Sequence, residues 1–556
     1  MSKLKNILIL TAVALICYSC QMEDFLDLYP QDSLTEQTFF KNENDLKLYA
    51  NQFYPLLPVQ PSLSENNSDN LVPSNRDAFL AGTYVVPVSG GGWTWTNERN
   101  VNFFLNRYQR AEASQEIKNK YAAEVRLFRA FFFWRKVVQF GDVPWLSTDL
   151  NDLSPELYDS KKTHTEVMDS VLVDLNFAID HLPLPNVAEL GRLHKYAAAA
   201  LKSRICLWEG TFRKYHGLGN EEKFLQEAIS ASELVINSGL YEIFSTGNPG
   251  SDYYNLFIQE ELSTNKEAIL PMRYLSNVVM HGFTRTLGES GTGFSKNFVR
   301  SFLSKDGLPT SLSPLYLGDD SLEDEATDRD PRFRQIIATR GFVFQVGADG
   351  ALDEIGLPRI GTNAAPTGYQ FIKGRSPDLA QWNALQSTLD LFIFRYAEVL
   401  LNFAEAKAEL SQADQNVLDI SVNKLRARVG MPFMTVNVPK DPESDFPSLP
   451  SLLDEIRRER RVELAGEGFR MDDLLRWKAG KQIENPETIL GLKLTPEYRE
   501  EFPASQVSGI VVDENFYIRR YNNIDNRIWD DRMYHYPIPT QELSLNPDLS
   551  PQNPGW

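Results

Sequence analysis

The sequence is poor in the residues that build disulfides and metal sites. Of three cysteines, Cys17 falls in an apolar leader, Cys20 follows it, and Cys206 sits alone in an apolar helical pattern. No disulfide is expected, despite the export that the leader implies. The six histidines, at 164, 181, 194, 216, 281 and 535, show neither an H-E-x-x-H pattern nor another ligand spacing. Positive charge is in deficit: 56 Lys and Arg face 75 Asp and Glu, a formal net charge of −19. That argues against a nucleic-acid or anionic-membrane surface, since both reward clustered cations. Enzyme signatures are missing too. The stretch GESGTG at 288–293 holds a serine without the G-x-S-x-G elbow. Glycoside hydrolysis needs two facing carboxylates, which 75 acidic residues leave open; the helical scaffold argues against an enzyme, and none is expected.

Only one apolar run attracts attention, at 7–17 behind Lys3 and Lys5. It is too short to span a bilayer and suits the core of an export signal. Small Ser19 precedes Cys20, whereas bulky Ile16 precedes Cys17. The pattern predicts a lipoprotein signal peptide over 1–19, lipid on Cys20, and a tether over 20–42 that anchors the chain without spanning the membrane. An ordinary cleaved signal is the alternative.

What the chain has is helix. Ile117, Tyr121, Val125, Phe128 and Phe132 make one apolar stripe, and Leu127, Phe131, Trp134 and Val138 a second. A helix apolar on two sides lies inside a helical layer. Gly141 and Pro144 mark its end. Further helical patterns are read at 44–57, 97–113, 192–212, 221–238, 391–410, 415–429, 452–464 and 469–479, with another starting at Thr163. The chain divides into an N-terminal helical region over 43–240, a loop-rich insertion over 241–390 with a helix at 295–303, C-terminal helical repeats over 391–480, and strands and loops over 481–556. Helix pairs with small residues at their crossings, such as 197–200, predict a mostly α fold with a tetratricopeptide-type array. The Pro-, Ser-, Asn- and Gly-rich stretch at 58–92 reads as a long functional surface loop.

These pieces, in this order, resemble the SusD/RagB family of nutrient-binding outer-membrane lipoproteins. The resemblance runs through Cys20 and DFLDLYPQ, EVRLFRAFFFWRKVVQFGDVPW at 124–145, GRLHKYAAAALKSRICLW at 191–208 and DRDPRF at 328–333. It continues through FRYAEVLLNFAEAKAEL at 394–410, NKLRARVGMP at 423–432, IRRERRVELAGEGFRMDDLLRWK at 456–478, YPIPTQEL and the terminal NPGW. It implies about four tetratricopeptide-like hairpins supporting an irregular ligand-binding half. It implies a place on the outer membrane as the lid of a SusC-like TonB-dependent transporter, binding oligosaccharide without catalysis. Part of the family serves peptide importers, and a purely scaffolding role is a third reading.

Within SGGGWTWTNERN at 89–100, an extended backbone puts Trp93 and Trp95 on one face. Paired flat indoles suit the C–H faces of sugar rings. Asp69, Asn70 and Arg76, in the preceding irregular segment, are candidates for bonding paired hydroxyls. His281, Phe283, Arg285, Tyr316 and Trp382 are candidates for a third aromatic wall. The charge cluster of Arg457, Arg458, Arg460, Arg461, Glu463 and Glu467 reads as a salt-bridged brace between helices. The acidic run Asp319, Asp320, Glu323, Asp324 and Glu325 has the oxygens for Ca²⁺ but not the EF-hand spacing, so no cofactor is expected.

Overall fold

The computed structural model describes residues 39–361, 364–521 and 527–556. The signal peptide, Cys20 and the tether up to residue 38 lie outside the described residues.

The chain builds its helical layer in order. Helix α1 (Glu43–Asn51) is capped by the Asn42 side chain and is shorter than expected. Pro55, which has no N–H to donate, opens a separate 3₁₀ turn over Tyr54–Leu56. Helix α2 (Thr96–Leu105) follows the irregular loop and also stops early, ahead of a 3₁₀ turn at Tyr108–Arg110. Helix α3 (Gln115–Phe140) starts at the Ser114 cap and ends at Gly141, whose φ of 72° only glycine adopts freely. Apart from the half-buried Ile117 at its start, both predicted stripes of α3 are buried, which places it inside the layer. Helix α4 (His164–His181) packs against it and begins with a reciprocal capping box between Thr163 and Glu166. Helices α5 (Lys195–His216) and α6 (Glu221–Ile236) form the next pair. At Gly210 a Cβ would come within 2.8 Å of Leu225, so a glycine there lets the two helices close up.

Past α6 the chain turns irregular. Helices α7 (Phe283–Glu289) and α8 (Leu379–Trp382) are short, and the helix expected at 295–303 shrinks to Lys296–Arg300. Helical packing resumes with α9 (Tyr396–Glu409), α10 (Gln415–Ile420), α11 (Val422–Val429), α12 (Ser451–Glu463) and α13 (Arg470–Arg476). Helix α9 lies against α5, α6 and α12, and α13 lies against α5. Helix α14 (Thr540–Leu545) comes near the C-terminus.

Two readings change. The helix predicted over 391–410 begins only at Tyr396, because Leu391–Arg395 is strand β6, wholly buried and paired antiparallel with β2 (Ala268–Met272). LFIFR is apolar and bulky at nearly every position, and such a run fits a buried strand as well as a buried helix. The helix predicted over 415–429 breaks at Ser421, where φ is −128° and ψ −96° and the hydroxyl bonds back to the Val417 carbonyl. Among the described residues the other strands make three more two-stranded antiparallel pairs: β1 (Leu71–Pro73) with β3 (Thr292–Phe294), β4 (Val343–Val346) with β5 (Leu352–Glu354), and β7 (Leu490–Lys493) with β8 (Tyr517–Arg519).

The charge cluster on α12 is a brace, and it is buried rather than solvated. Arg395 is 0% exposed and reaches Glu267 at 2.9 Å, Glu463 at 2.8 Å and Glu467 at 2.6 Å. Arg428 joins Glu463 at 2.6 Å, Arg332 joins Glu463 at 3.0 Å and Glu459 at 2.6 Å, and Lys373 joins Glu467 at 2.5 Å. Burial disfavours the charge on Glu463, but Arg428, Arg395 and Arg332 outweigh it and hold the carboxyl well below the usual range. A second cluster pairs Arg476 with Glu405 at 2.6 Å, Arg457 with Glu409 at 2.7 Å and Arg460 with Asp473 at 2.9 Å. Such charges are tolerated out of water only while every partner is present.

Candidate ligand-binding site

Helix α3 also positions the aromatic loop. Gly90, Gly91 and Gly92 all adopt positive φ, and a Cβ on Gly92 would lie 2.5 Å from the Gln139 amide. Lys136 donates to the Gly92 carbonyl at 2.7 Å and the Thr94 carbonyl at 2.5 Å, and Gln139 donates to the Gly91 carbonyl at 3.0 Å. The Lys136 ammonium also lies 5.2 Å from the centre of the Trp95 ring. Burial pulls its pKa below the usual lysine value, against the attraction of Glu98. Lys136→Met is expected to cost about 2 kcal/mol, because two carbonyls lose a buried charged donor. Urea unfolding with near-ultraviolet circular dichroism checks this, and an unchanged midpoint and indole signal would contradict it.

The two indoles do not share one flat face. Trp95 is where α2 begins, at φ −116° and ψ 14°, so the extended geometry behind the i, i+2 reading is lost. The rings meet edge to face, with centroids 5.3 Å apart and planes at 84°. Trp93 is only 6% exposed and packs edge-on against Phe140 at 4.9 Å, while Trp95 is half-buried. Together they form a corner at the base of a cleft of about 620 Å³. One wall is α2, through Thr96, Arg99 and Asn102; a second is the loop 144–158; a third is α14 and the turn after it. Asn102 bonds the Leu146 carbonyl at 2.8 Å, Arg99 the Leu150 carbonyl at 3.0 Å, and Asn546 the Asp159 carbonyl at 3.1 Å, which fixes the loop between the other two walls. Tyr158 is 60% exposed on this cleft, with Asn151, Asp152, Glu156 and Glu542 beside it. Aromatic faces beside amides and carboxylates can stack on sugar rings and bond their hydroxyls.

The loop and tail residues of this cleft were not anticipated. The run from Asn151 to Tyr158 shows no periodicity, and nothing local in the sequence tells that residue 542 faces it.

The other expected residues are placed elsewhere. Asp69 is fully buried, with Arg470 at 2.7 Å and Arg461 at 3.2 Å. Burial raises its pKa, but the two guanidiniums prevail and hold it at about 2. Asn70 is 1% exposed, donating to Glu65 at 2.8 Å and accepting from Arg461 at 2.8 Å. Both residues brace the loop against α12 and α13, which removes them from the surface role expected of them. Arg76 is half-buried after β1 and belongs to no wall of the cleft.

His281, Phe283, Arg285 and Trp382 come together around α7 and α8, away from the walls of the tryptophan cleft. His281 bonds the Leu389 carbonyl at 2.8 Å, and Arg285 pairs with Glu289 at 3.0 Å. Phe283 presses on Gly374, where a Cβ would lie 2.9 Å from its ring. Trp382 lies beneath Arg375 at 4.3 Å. Tyr316 sits apart, beneath Arg329 at 5.3 Å. No third wall forms from these five residues at the cleft.

The acidic run disperses into pairs. Asp319 meets Lys296 at 2.5 Å, Asp320 meets Lys493 at 2.6 Å, Glu323 meets Arg334 at 3.2 Å, Glu325 meets Lys296 at 2.6 Å, and Asp324 accepts from Ser321 at 2.7 Å. Among the described residues no three His, Cys, Asp or Glu side chains gather as a metal set.

The sequence profile of the SusD family matches residues 252–556, more than half of the chain. The chain belongs to the SusD family. A second SusD-like profile, described as starch-binding and associating with the outer membrane, matches residues 24–207. SusD-like protein P25 of Formosa agariphila is 24% identical over 98% of either chain. The starch-binding protein SusD of Bacteroides thetaiotaomicron is 24% identical over 82% of this chain and 76% of its own. Among solved structures, a SusD-like carbohydrate-binding protein of Bacteroides fragilis superposes with a TM-score of 0.73 at 24% identity, covering 92% of this chain and 100% of that one. A further solved structure, with a xylogluco-oligosaccharide, gives 0.58 at 18% identity, covering 92% and 96%. The mostly helical, tetratricopeptide-like architecture described above is therefore the SusD fold. Among the described residues no helix is long and apolar enough to cross a membrane.

Proposed function

We propose that this SusD-family chain is a cell-surface lipoprotein that binds oligosaccharides and hands them to a SusC-like TonB-dependent transporter of the outer membrane. It is a binding protein and not an enzyme. Lipid on Cys20 would hold it at the membrane, and the cleft at Trp95 would face the ligand. The observation that carries the reading is the cleft at Trp95, where an aromatic corner and the exposed Tyr158 ring stand among amide, guanidinium and carboxylate groups. The carbohydrate-binding and starch-binding relatives support the same reading.

Trp95→Ala tests it on a polysaccharide affinity gel or by calorimetry. Losing one stacked indole is expected to weaken binding about tenfold. Trp93 is kept because it belongs to the core. Unchanged retention, with the melting temperature preserved, would move the site away from this cleft.

A further inference from the structure

The charge around the cleft has a sign. Asp152, Glu156 and Glu542 line it from two walls, facing one guanidinium, Arg99. None of the three carboxylates forms an ion pair among the described residues, and Asp152 and Glu156 are exposed. The Arg99 Nε is already committed to the Leu150 carbonyl at 3.0 Å. The neighbouring cations are spent elsewhere: Lys136 on the Gly92 and Thr94 carbonyls, and Arg107 on Asp149 at 2.8 Å. A cleft held between low-dielectric walls focuses this negative field, and the net charge of −19 adds to it.

We infer that the Trp95 cleft selects uncharged oligosaccharides and turns away those carrying uronate or sulfate groups. The inference rests on the glycan reading above and narrows it to a substrate class. Neutral hydroxyls can donate to all three carboxylates, and sugar C–H faces can cover Trp95 and Tyr158. An anionic sugar would bring a like charge against the same carboxylates with only one cation to receive it.

The mature full-length chain can be probed on an array carrying neutral, uronate-bearing and sulfated oligosaccharides, at low and at high salt. Neutral sugars are expected to bind at least about tenfold more tightly than anionic sugars of similar length, with the gap narrowing as salt screens the carboxylates. In Asp152→Asn/Glu156→Gln/Glu542→Gln, all at solvent-accessible positions, the neutral-to-anionic ratio is expected to fall about fivefold. A wild-type preference for uronate or sulfated sugars overturns this inference and leaves the glycan reading standing. Equal binding of both classes, or a ratio unmoved in the triple variant, also overturns it alone. No signal on any sugar class overturns both.

Discussion

Arg395→Met is expected to lose about 3–5 kcal/mol of stability, because it strands buried carboxylates that have no access to water. The methionine fills much of the volume, so the loss is electrostatic and not that of a cavity. Glu267, Glu463 and Glu467 each have an Arg395 nitrogen within 2.9 Å and are essentially sealed from solvent. Lys373 and Arg428 remain but do not replace a guanidinium shared among three anions. Guanidinium chloride unfolding of the purified chain measures the loss. Adding Glu467→Gln, which removes one stranded charge, is expected to recover part of it, the signature of coupled residues. A loss below about 1 kcal/mol would mean that the cluster is hydrated and worth little more than a surface pair.

Acid is expected to weaken the fold through its buried neutral histidines, and His194 is a main cause. Its Nδ1 accepts the Ala197 N–H at 3.2 Å, capping α5, and its Nε2 meets the Ile269 carbonyl at 2.9 Å. The ring is therefore neutral in the folded chain, and burial, against the pull of the Ile269 carbonyl, lowers its pKa from 6.5 to about 4. An unfolded chain takes up that proton near 6.5, so between 6.5 and 4 the unfolded state binds more protons. Stability is flat above this window and falls as pH drops through it, by about 3 kcal/mol from this residue. His216, lowered to about 4 chiefly by burial, acts in the same direction. Unfolding free energies measured from pH 7 to pH 4 give the slope. His194→Asn keeps a capping acceptor and removes the titration, so its slope should be shallower. An identical slope would place the acid sensitivity elsewhere.

Much of the helical layer was legible because its signals are local. The two stripes of α3, the stop at Gly141 and the start at Thr163 all lie within a few residues of the structure they specify. Strand β6 was illegible for a physical reason: LFIFR is buried on every side, and only its pairing with β2, far away in the sequence, selects strand over helix. The aromatic loop was found but its geometry was not. Whether Trp93 and Trp95 stack side by side or meet at a corner depends on Lys136 and on α2 starting at Trp95. Asp69 and Asn70 read as surface polars because the arginines that enclose them, Arg461 and Arg470, lie about 400 residues further on. The carboxylates of the cleft carried no signal, since a loop and a tail meet there by tertiary packing alone.

The ion cluster also limits how the protein could be re-engineered. The insertion between β2 and β6 looks like an exchangeable cassette, and doubling the length of such a loop costs only about 0.6 kcal/mol in closure entropy. Yet this stretch supplies Arg332 to Glu463 and Lys373 to Glu467. A chimaera that imported a foreign insertion without those two cations would fail in the interior whatever its outer loops recognised. Grafting is better confined to the exposed tips at 275–279 and 348–351, which can vary without touching that interior wiring.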